Sequence, residues 1–240
     1  MKRLCATRLV LLAMLLASAS ARATILTFDA KGISNNQPFP VGYGDNIDAT
    51  KVVSGDAAAN TYGLGNGATP NVTVGFTPSA PFGSDAFSSF YYYSDADWPK
   101  VAELYTAPLG DNINVFEITF TPDAGYLVQV NSFDLYDYPN YHNGEDHTVG
   151  WRVLDGASVL ASGSVTVPST VSPTVVPVGS VMSNGFAGTV VLELTHSAGF
   201  GADLGLDNVN FDQSAAVPEP SVIGLMATGL LVLLRTAKQK

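Results

Sequence analysis

The chain has 240 residues, enough for one large domain or two small ones. Charged residues make up only 13%, while glycine, proline and aromatics are plentiful, a mix that favours strands and turns over helices. Between Thr24 and Ala216 four basic residues, Lys31, Lys51, Lys100 and Arg152, stand against twenty acidic ones; nothing there can neutralise phosphates, so nucleic acid is excluded and divalent cations or neutral ligands remain.

Met1 to Ala23 reads as a secretory signal peptide. Lys2, Arg3 and Arg8 supply the positive start, Leu9 to Ala17 the apolar centre, and Ala21-Arg22-Ala23 a small-x-small cleavage site that would leave Thr24 as the first mature residue. A retained anchor is the competing reading, and the apolar run is too short to span a bilayer well. The single cysteine, Cys5, precedes the apolar centre. It is not placed as a lipoprotein cysteine, and a processed chain would have no disulfide, no thiolate nucleophile and no cysteine-ligated metal.

The predicted strands follow in order: 24–28, 71–76, 86–93, 114–120, 126–136, 148–154, 158–167, 189–195 and 204–211. Each is a run of β-branched and aromatic residues or an apolar/polar alternation. Turn chemistry separates them at Thr121-Pro122-Asp123-Ala124-Gly125, Asn143-Gly144, Asp155-Gly156 and Asn184-Gly185. Thr24 to about Phe82 is less regular and suits long loops with an edge strand. Nine strands without intervening helices predict an all-β, antiparallel two-sheet sandwich of jelly-roll type over residues 24–212. No internal repeat points to a propeller or solenoid.

Three clusters could carry chemistry. Asp29, near the mature start, and Asp207, Asn208 and Asp212, near the domain end, converge if the first and last strands are neighbours; calcium takes six to eight such oxygens. The Asp207-Asn208-Val209 segment resembles the structural calcium position of carbohydrate-binding jelly rolls, and that resemblance implies Asp29, Asp207 and Asn208 as ligands. The plainer alternative is a capped turn before the last strand. In FYYYSDADWPK (90–100), Tyr91 and Tyr93 share one strand face beside Asp95, Asp97 and Trp98. Rings that stack on a pyranose and carboxylates that accept from hydroxyls are what a sugar site uses; ordinary sheet aromatics are the alternative. The stretch 134–151 crowds Asp137, His142, Glu145, Asp146 and His147 together. Its histidines suit a transition metal or simply a solvated hairpin tip, and Asp137, Tyr138 and Tyr141 are candidates for the rim of a ligand site.

No G-x-S-x-G, H-E-x-x-H or phosphate loop occurs. A carboxylate pair of glycosidase type cannot be picked out by spacing, and the chain is read as non-catalytic.

The end of the chain is VPEPSVIGLMATGLLVLLRTAKQK. Ser221 to Leu234 is apolar or small throughout, roughly 21 Å as a helix, which the stems of Arg235 and Lys238 can lengthen toward a bilayer's roughly 30 Å core. A buried core helix is the alternative. The uniform apolarity and the basic end predict a membrane helix over 221–240 with its basic end cytoplasmic. Pro218 and Pro220 keep the tether 213–220 extended ahead of it. Val217, Pro218, Glu219 and Pro220, then the apolar run, then Arg235, resemble the PEP-CTERM sorting signal of Gram-negative bacteria. That resemblance covers about the last 24 residues. It implies recognition by exosortase, a membrane-embedded cysteine enzyme, and delivery to the cell surface or an exopolysaccharide matrix. The sequence thus predicts an exported matrix protein whose sandwich binds polysaccharide; the alternative is a structural or adhesive matrix protein without a sugar site.

Overall fold

The computed structural model describes residues 22–30, 34, 36–39, 42–48, 60–63, 68–77, 88–93, 101–106, 113–137, 146–170, 172–179, 185–197 and 203–216. They form twelve strands: β1 (Arg22–Ala30), β2 (Asn60–Gly63), β3 (Val72–Thr77), β4 (Ser88–Tyr93), β5 (Val101–Thr106), β6 (Ile113–Pro122), β7 (Tyr126–Asp137), β8 (His147–Asp155), β9 (Ser158–Val167), β10 (Thr174–Pro177), β11 (Val190–Ser197) and β12 (Asp203–Ala215). All pairings are antiparallel, and the strands make two sheets. One has five strands in the order β3-β6-β11-β8-β9; the other has seven, ordered β10-β7-β12-β1-β2, with β5 also paired to β12 and β4 to β5.

The nine predicted strands are all present, with ends shifted by a few residues. The all-β sandwich follows from their alternation. On β6 Phe116, Ile118 and Phe120 are fully buried, and on β11 Val190, Leu192 and Leu194 are buried; the residues between them point outward. Facing them from the seven-stranded sheet are Val128, Val130, Phe133 and Leu135 of β7 and Leu204, Leu206, Val209 and Phe211 of β12. Phe120 meets Phe211 at 4.8 Å between ring centroids, and Phe133 meets Trp151 edge-on at 6.2 Å, so ring contacts bridge the two layers.

Two of the predicted turns are described and form where the sequence places them, while Asn143-Gly144 and Asn184 lie outside the described residues. The chain crosses from β6 to β7 through Asp123-Ala124-Gly125, where Gly125 has φ of 87° and Tyr126 N donates to Asp123 O at 3.0 Å. The β8–β9 hairpin uses the two-residue loop Gly156-Ala157, with positive φ at Gly156 as a II′ turn requires. The irregular early region is held by aromatic contacts: Phe28, Phe39, Tyr43 and Phe76 lie within 5.1–6.1 Å of one another.

β1 opens at Arg22, so the last two residues of the expected signal peptide pair with Gln213 and Asp212 in this structure. Among the described residues no helix is long and apolar enough to cross a membrane. The rest of the expected leader, the Val217–Pro220 motif and the tail through Arg235 lie outside the described residues.

Candidate functional site

β12 is the element that builds the site. Its first residues, Asp203 to Leu206, pair with β5, and Val209 to Gln213 pair with β1. The changeover falls on Asp207-Asn208, so the sheet forks there. On its other side β12 stays paired with β7, but through two compensating irregularities. Asn208 and Val209 together oppose Phe133, and Asn131 is the extra residue on β7, after which the register is restored. Asn208 has φ of 50°, a left-handed conformation that asparagine adopts more readily than most residues.

These bulges gather polar side chains on the outer face of the seven-stranded sheet. Asp207 lies directly opposite Asp134. Two carboxylates so placed repel each other, and the bulge supplies relief: Asn208 Nδ2 donates to Asp134 Oδ2 at 2.9 Å, and Asn208 N donates to Asp207 Oδ1 at 2.7 Å. Tyr136 is two residues along β7 from Asp134, hence on the same face. Asp207 and Tyr136 are each only 7% exposed, so the cluster is recessed rather than a solvated acidic face.

The electrostatics follow from that recess. Burial raises the Asp134 carboxyl above its ordinary value, while the Asn208 amide pulls it back down. Tyr136 is pushed up to about 12, first by burial and then by the negative charges of Asp207 and Asp134. Its phenol therefore keeps its proton throughout the physiological range. Farther along the same pair of strands, Asn131 Nδ2 donates to Asn210 Oδ1 at 3.2 Å and to Asp212 Oδ2 at 2.8 Å, while Asn131 O accepts from Val178 N and Gly179 N, both at 2.7 Å. The extra residue of β7 thus ties the segment just after β10 to β12.

The first and last strands are neighbours, as the calcium expectation required. Asp207 and Asn208 lie inside β12 at its bulge, not in a turn before it. Asp29 is in β1, three residues past Leu26, the last β1 residue paired with β12, and opposite Thr61 of β2; only its strand pairing is described. Tyr91 and Tyr93 are likewise described by pairing alone: β4 puts Tyr91 opposite Glu103, which lies opposite Gly205, which lies opposite Tyr136. One register row therefore leads from Tyr91 to the cluster. Asp95, Asp97, Trp98, Tyr138, Tyr141, His142 and Glu145 lie outside the described residues.

Asp137 is a correction. Expected at a rim, it is fully buried at the end of β7, with its Oδ2 3.7 Å from His147 Nε2. A carboxylate withdrawn from solvent beside an imidazole serves the interior, because its desolvation is offset only by such a partner. Among the described residues no three His, Cys, Asp or Glu side chains converge as a metal site. Asp134, Tyr136, Asn131 and Asn210 were not singled out by sequence. The available signal was FDLYDY, whose alternation aims Asp134 and Tyr136 to one side.

No family model matches the chain, and no curated protein matches it. Solved structures give distant similarity to β-sandwich proteins. A cyclase from Fischerella sp. TAU, in complex with 4-(1H-indol-3-yl)butan-2-one, aligns at 15% identity over 80% of this chain and 96% of its own, with a TM-score of 0.38. TmCBM61, in complex with β-1,4-galactotriose, aligns at 13% identity over 60% of this chain and 88% of its own, with a TM-score of 0.29. CBM32-3, from a family 31 glycoside hydrolase of Clostridium perfringens, aligns at 13% identity over 79% and 94%, with a TM-score of 0.26.

Proposed function

We propose that this is an exported, non-catalytic polysaccharide-binding protein, sorted by its Pro-Glu-Pro tail to the cell surface or extracellular matrix of a Gram-negative bacterium. The observation that carries the binding part is the directly opposed pair Asp134–Asp207 at the bulge of β12, flanked by the Asn208 amide and the Tyr136 phenol. A buried and a half-buried carboxylate that face each other favour whatever brings them further donors. Sugar hydroxyls do this without a counter-charge, and a phenol that stays protonated adds a fixed polar group beside them. The register row toward Tyr91 supplies a direction along which a chain of sugars can extend.

A calcium ion fits the same chemistry. Asp207, Asn208 and Asp134 offer hard oxygen donors, and Asp29 lies on the strand that leaves β12 at the fork. Bound there, calcium would neutralise the facing carboxylates and brace the bulge. The sorting part rests on Val217, Pro218, Glu219, Pro220 and Arg235 and on the apolar run between them. Exosortase is the partner it implies, and the membrane is engaged only through residues 221–240.

The test is retention of the 24–216 chain on the producing organism's own exopolysaccharide, in calcium and in chelator. Retention in both supports a sugar site without an ion requirement, and retention in calcium alone adds the ion. No retention in either moves the function to a structural or adhesive matrix role, a reading favoured by the 7% exposure of Asp207 and Tyr136.

A further inference from the structure

We infer that the mature chain begins at Arg22, released by hydrolysis of the Ala21–Arg22 bond, and not at Thr24 as cleavage after Ala21-Arg22-Ala23 would have it. This cut rests on the export proposed above. The stretch Ala17-Ser18-Ala19-Ser20-Ala21-Arg22-Ala23 holds three overlapping Ala-x-Ala triplets. Small residues by themselves therefore allow cuts before Ser20, Arg22 or Thr24. The apolar run and the fold choose among them from opposite sides.

The apolar run excludes the first. A cleavage triplet follows the apolar centre of a leader, and Ala17, which opens the first triplet, is the last residue of that centre. The other two triplets lie wholly beyond it.

The fold excludes the third. β1 pairs with β12 from Arg22 to Leu26, whereas β2 joins β1 only from Ile25 onward, so the pairing of Arg22 and Ala23 is with β12. A start at Thr24 removes two of these five pairs. It takes away Ala23, only 6% exposed, from its place directly opposite Asp212, and it leaves Asp212 and Gln213 unpaired on that side. Both residues are fixed parts of the fold: Asp212 Oδ2 accepts from Asn131 Nδ2, and Gln213 Oε1 accepts from Asn71 N, each at 2.8 Å. Thr24 itself is fully buried, with its hydroxyl 2.9 Å from that of Thr69. The first residues of a chain fray unless they are tied down, so a buried hydrogen bond on the first residue is badly placed. With Arg22 first, two paired residues stand ahead of it.

The Ala21–Arg22 bond meets both conditions. Ala19 and Ala21 are the small residues that a leader peptidase reads, and the product keeps every β1–β12 pair. Water adds across the bond, leaving a carboxylate on Ala21 and an ammonium on Arg22.

The experiment expresses the full-length chain in the producing organism and reads the N-terminal sequence of the exported protein. The expected start is Arg22-Ala23-Thr24. Ala19→Phe puts a large side chain at the third residue ahead of this cut and outside the triplet for Thr24, so the Arg22 product is lost. Ala23→Val blocks only the Thr24 cut and leaves the Arg22 start; a leader is removed before the domain folds, so this variant reports the cut even if the sandwich is destabilised. A start at Thr24 or Ser20, or an Arg22 start undiminished in Ala19→Phe, overturns the assigned cut and leaves export standing. A chain that keeps Met1 overturns both.

Discussion

Asn208 is the residue on which the site's geometry turns, and it makes two separable contributions. Its φ of 50° holds the bulge, and its Nδ2 donates to Asp134 Oδ2 at 2.9 Å. Asn208→Gly keeps the backbone conformation and removes the donor. A hydrogen bond to a charged group contributes about 1.5–3 kcal/mol, and the partial exposure of Asp134 brings the expected loss to about 1–2 kcal/mol. Asn208→Ala removes the same donor and keeps a β-carbon in the left-handed region without asparagine's local hydrogen bonding to offset it, which costs about 1 kcal/mol more than glycine there. Chemical denaturation of both variants near neutral pH therefore ranks wild type above glycine above alanine.

The pH dependence of that loss is a second readout. Burial raises Asp134 above 3.8, so in the wild type this group favours folding increasingly as pH falls through its folded value toward 3.8, and disfavours it above. Without the Asn208 donor that value rises further. Below 3.8 the carboxyl is neutral in both folded and unfolded chains, and the missing bond is an ordinary one of about 0.5–1.5 kcal/mol. The cost of Asn208→Gly therefore shrinks as the solution is acidified. A glycine variant less stable than alanine, or a loss that does not change with pH, would refute the reasoning.

Other outcomes follow from the packing. A β-carbon on Gly163 would lie 2.8–2.9 Å from the Trp151 ring, so Gly163→Ala destabilises by about 1–3 kcal/mol, with a change in tryptophan fluorescence that reports the displaced indole. Arg152 holds Glu193 by two bonds, Nε to Oε1 at 2.8 Å and Nη2 to Oε2 at 2.9 Å, and Glu193 is only 5% exposed. Arg152→Ala leaves that carboxylate without its partner and costs about 1–3 kcal/mol at neutral pH, while Arg152→Ala/Glu193→Gln recovers part of the loss. In the producing organism, Glu219→Ala or deletion of Arg235 leaves unprocessed protein in the inner membrane; unchanged gel mobility and localisation of both contradict the sorting assignment.

The sheets were legible in the sequence where alternation is long. NVFEITF and TVVLELT place their apolar residues alternately toward the core, although Glu193 on the other face is also buried, and Asp155-Gly156 marks its hairpin without ambiguity. β5, β2 and β10 were not read. In VAELYT the pattern spans six residues with Glu103 in its centre, NTYG and TVVP are four each, and Pro177 argues against a strand. Their assignment comes from pairing with β12, β1 and β7, which is tertiary information.

The site divides in the same way. Asp207-Asn208 was visible as a local motif. Its partner Asp134 lies 74 residues away in sequence, joined to it only by the β7–β12 register. Asp137 shows the converse: next to a polar loop it looked accessible, and strand packing buries it against His147. Sequence proximity finds polar clusters, but which face of a sheet they occupy depends on bulges that have no local signature beyond an asparagine able to take positive φ.

The central claim is that the sandwich binds polysaccharide through the facing carboxylates at the bulge of β12. Calorimetric titration of the 24–216 chain with oligosaccharide fragments of the host exopolysaccharide tests it most directly, comparing wild type with Asp207→Asn. The prediction is saturable binding by the wild type that Asp207→Asn weakens at least tenfold, about 1.4 kcal/mol, while the variant's melting curve stays cooperative. Equal affinity of the two proteins, or no heat from either, would contradict it.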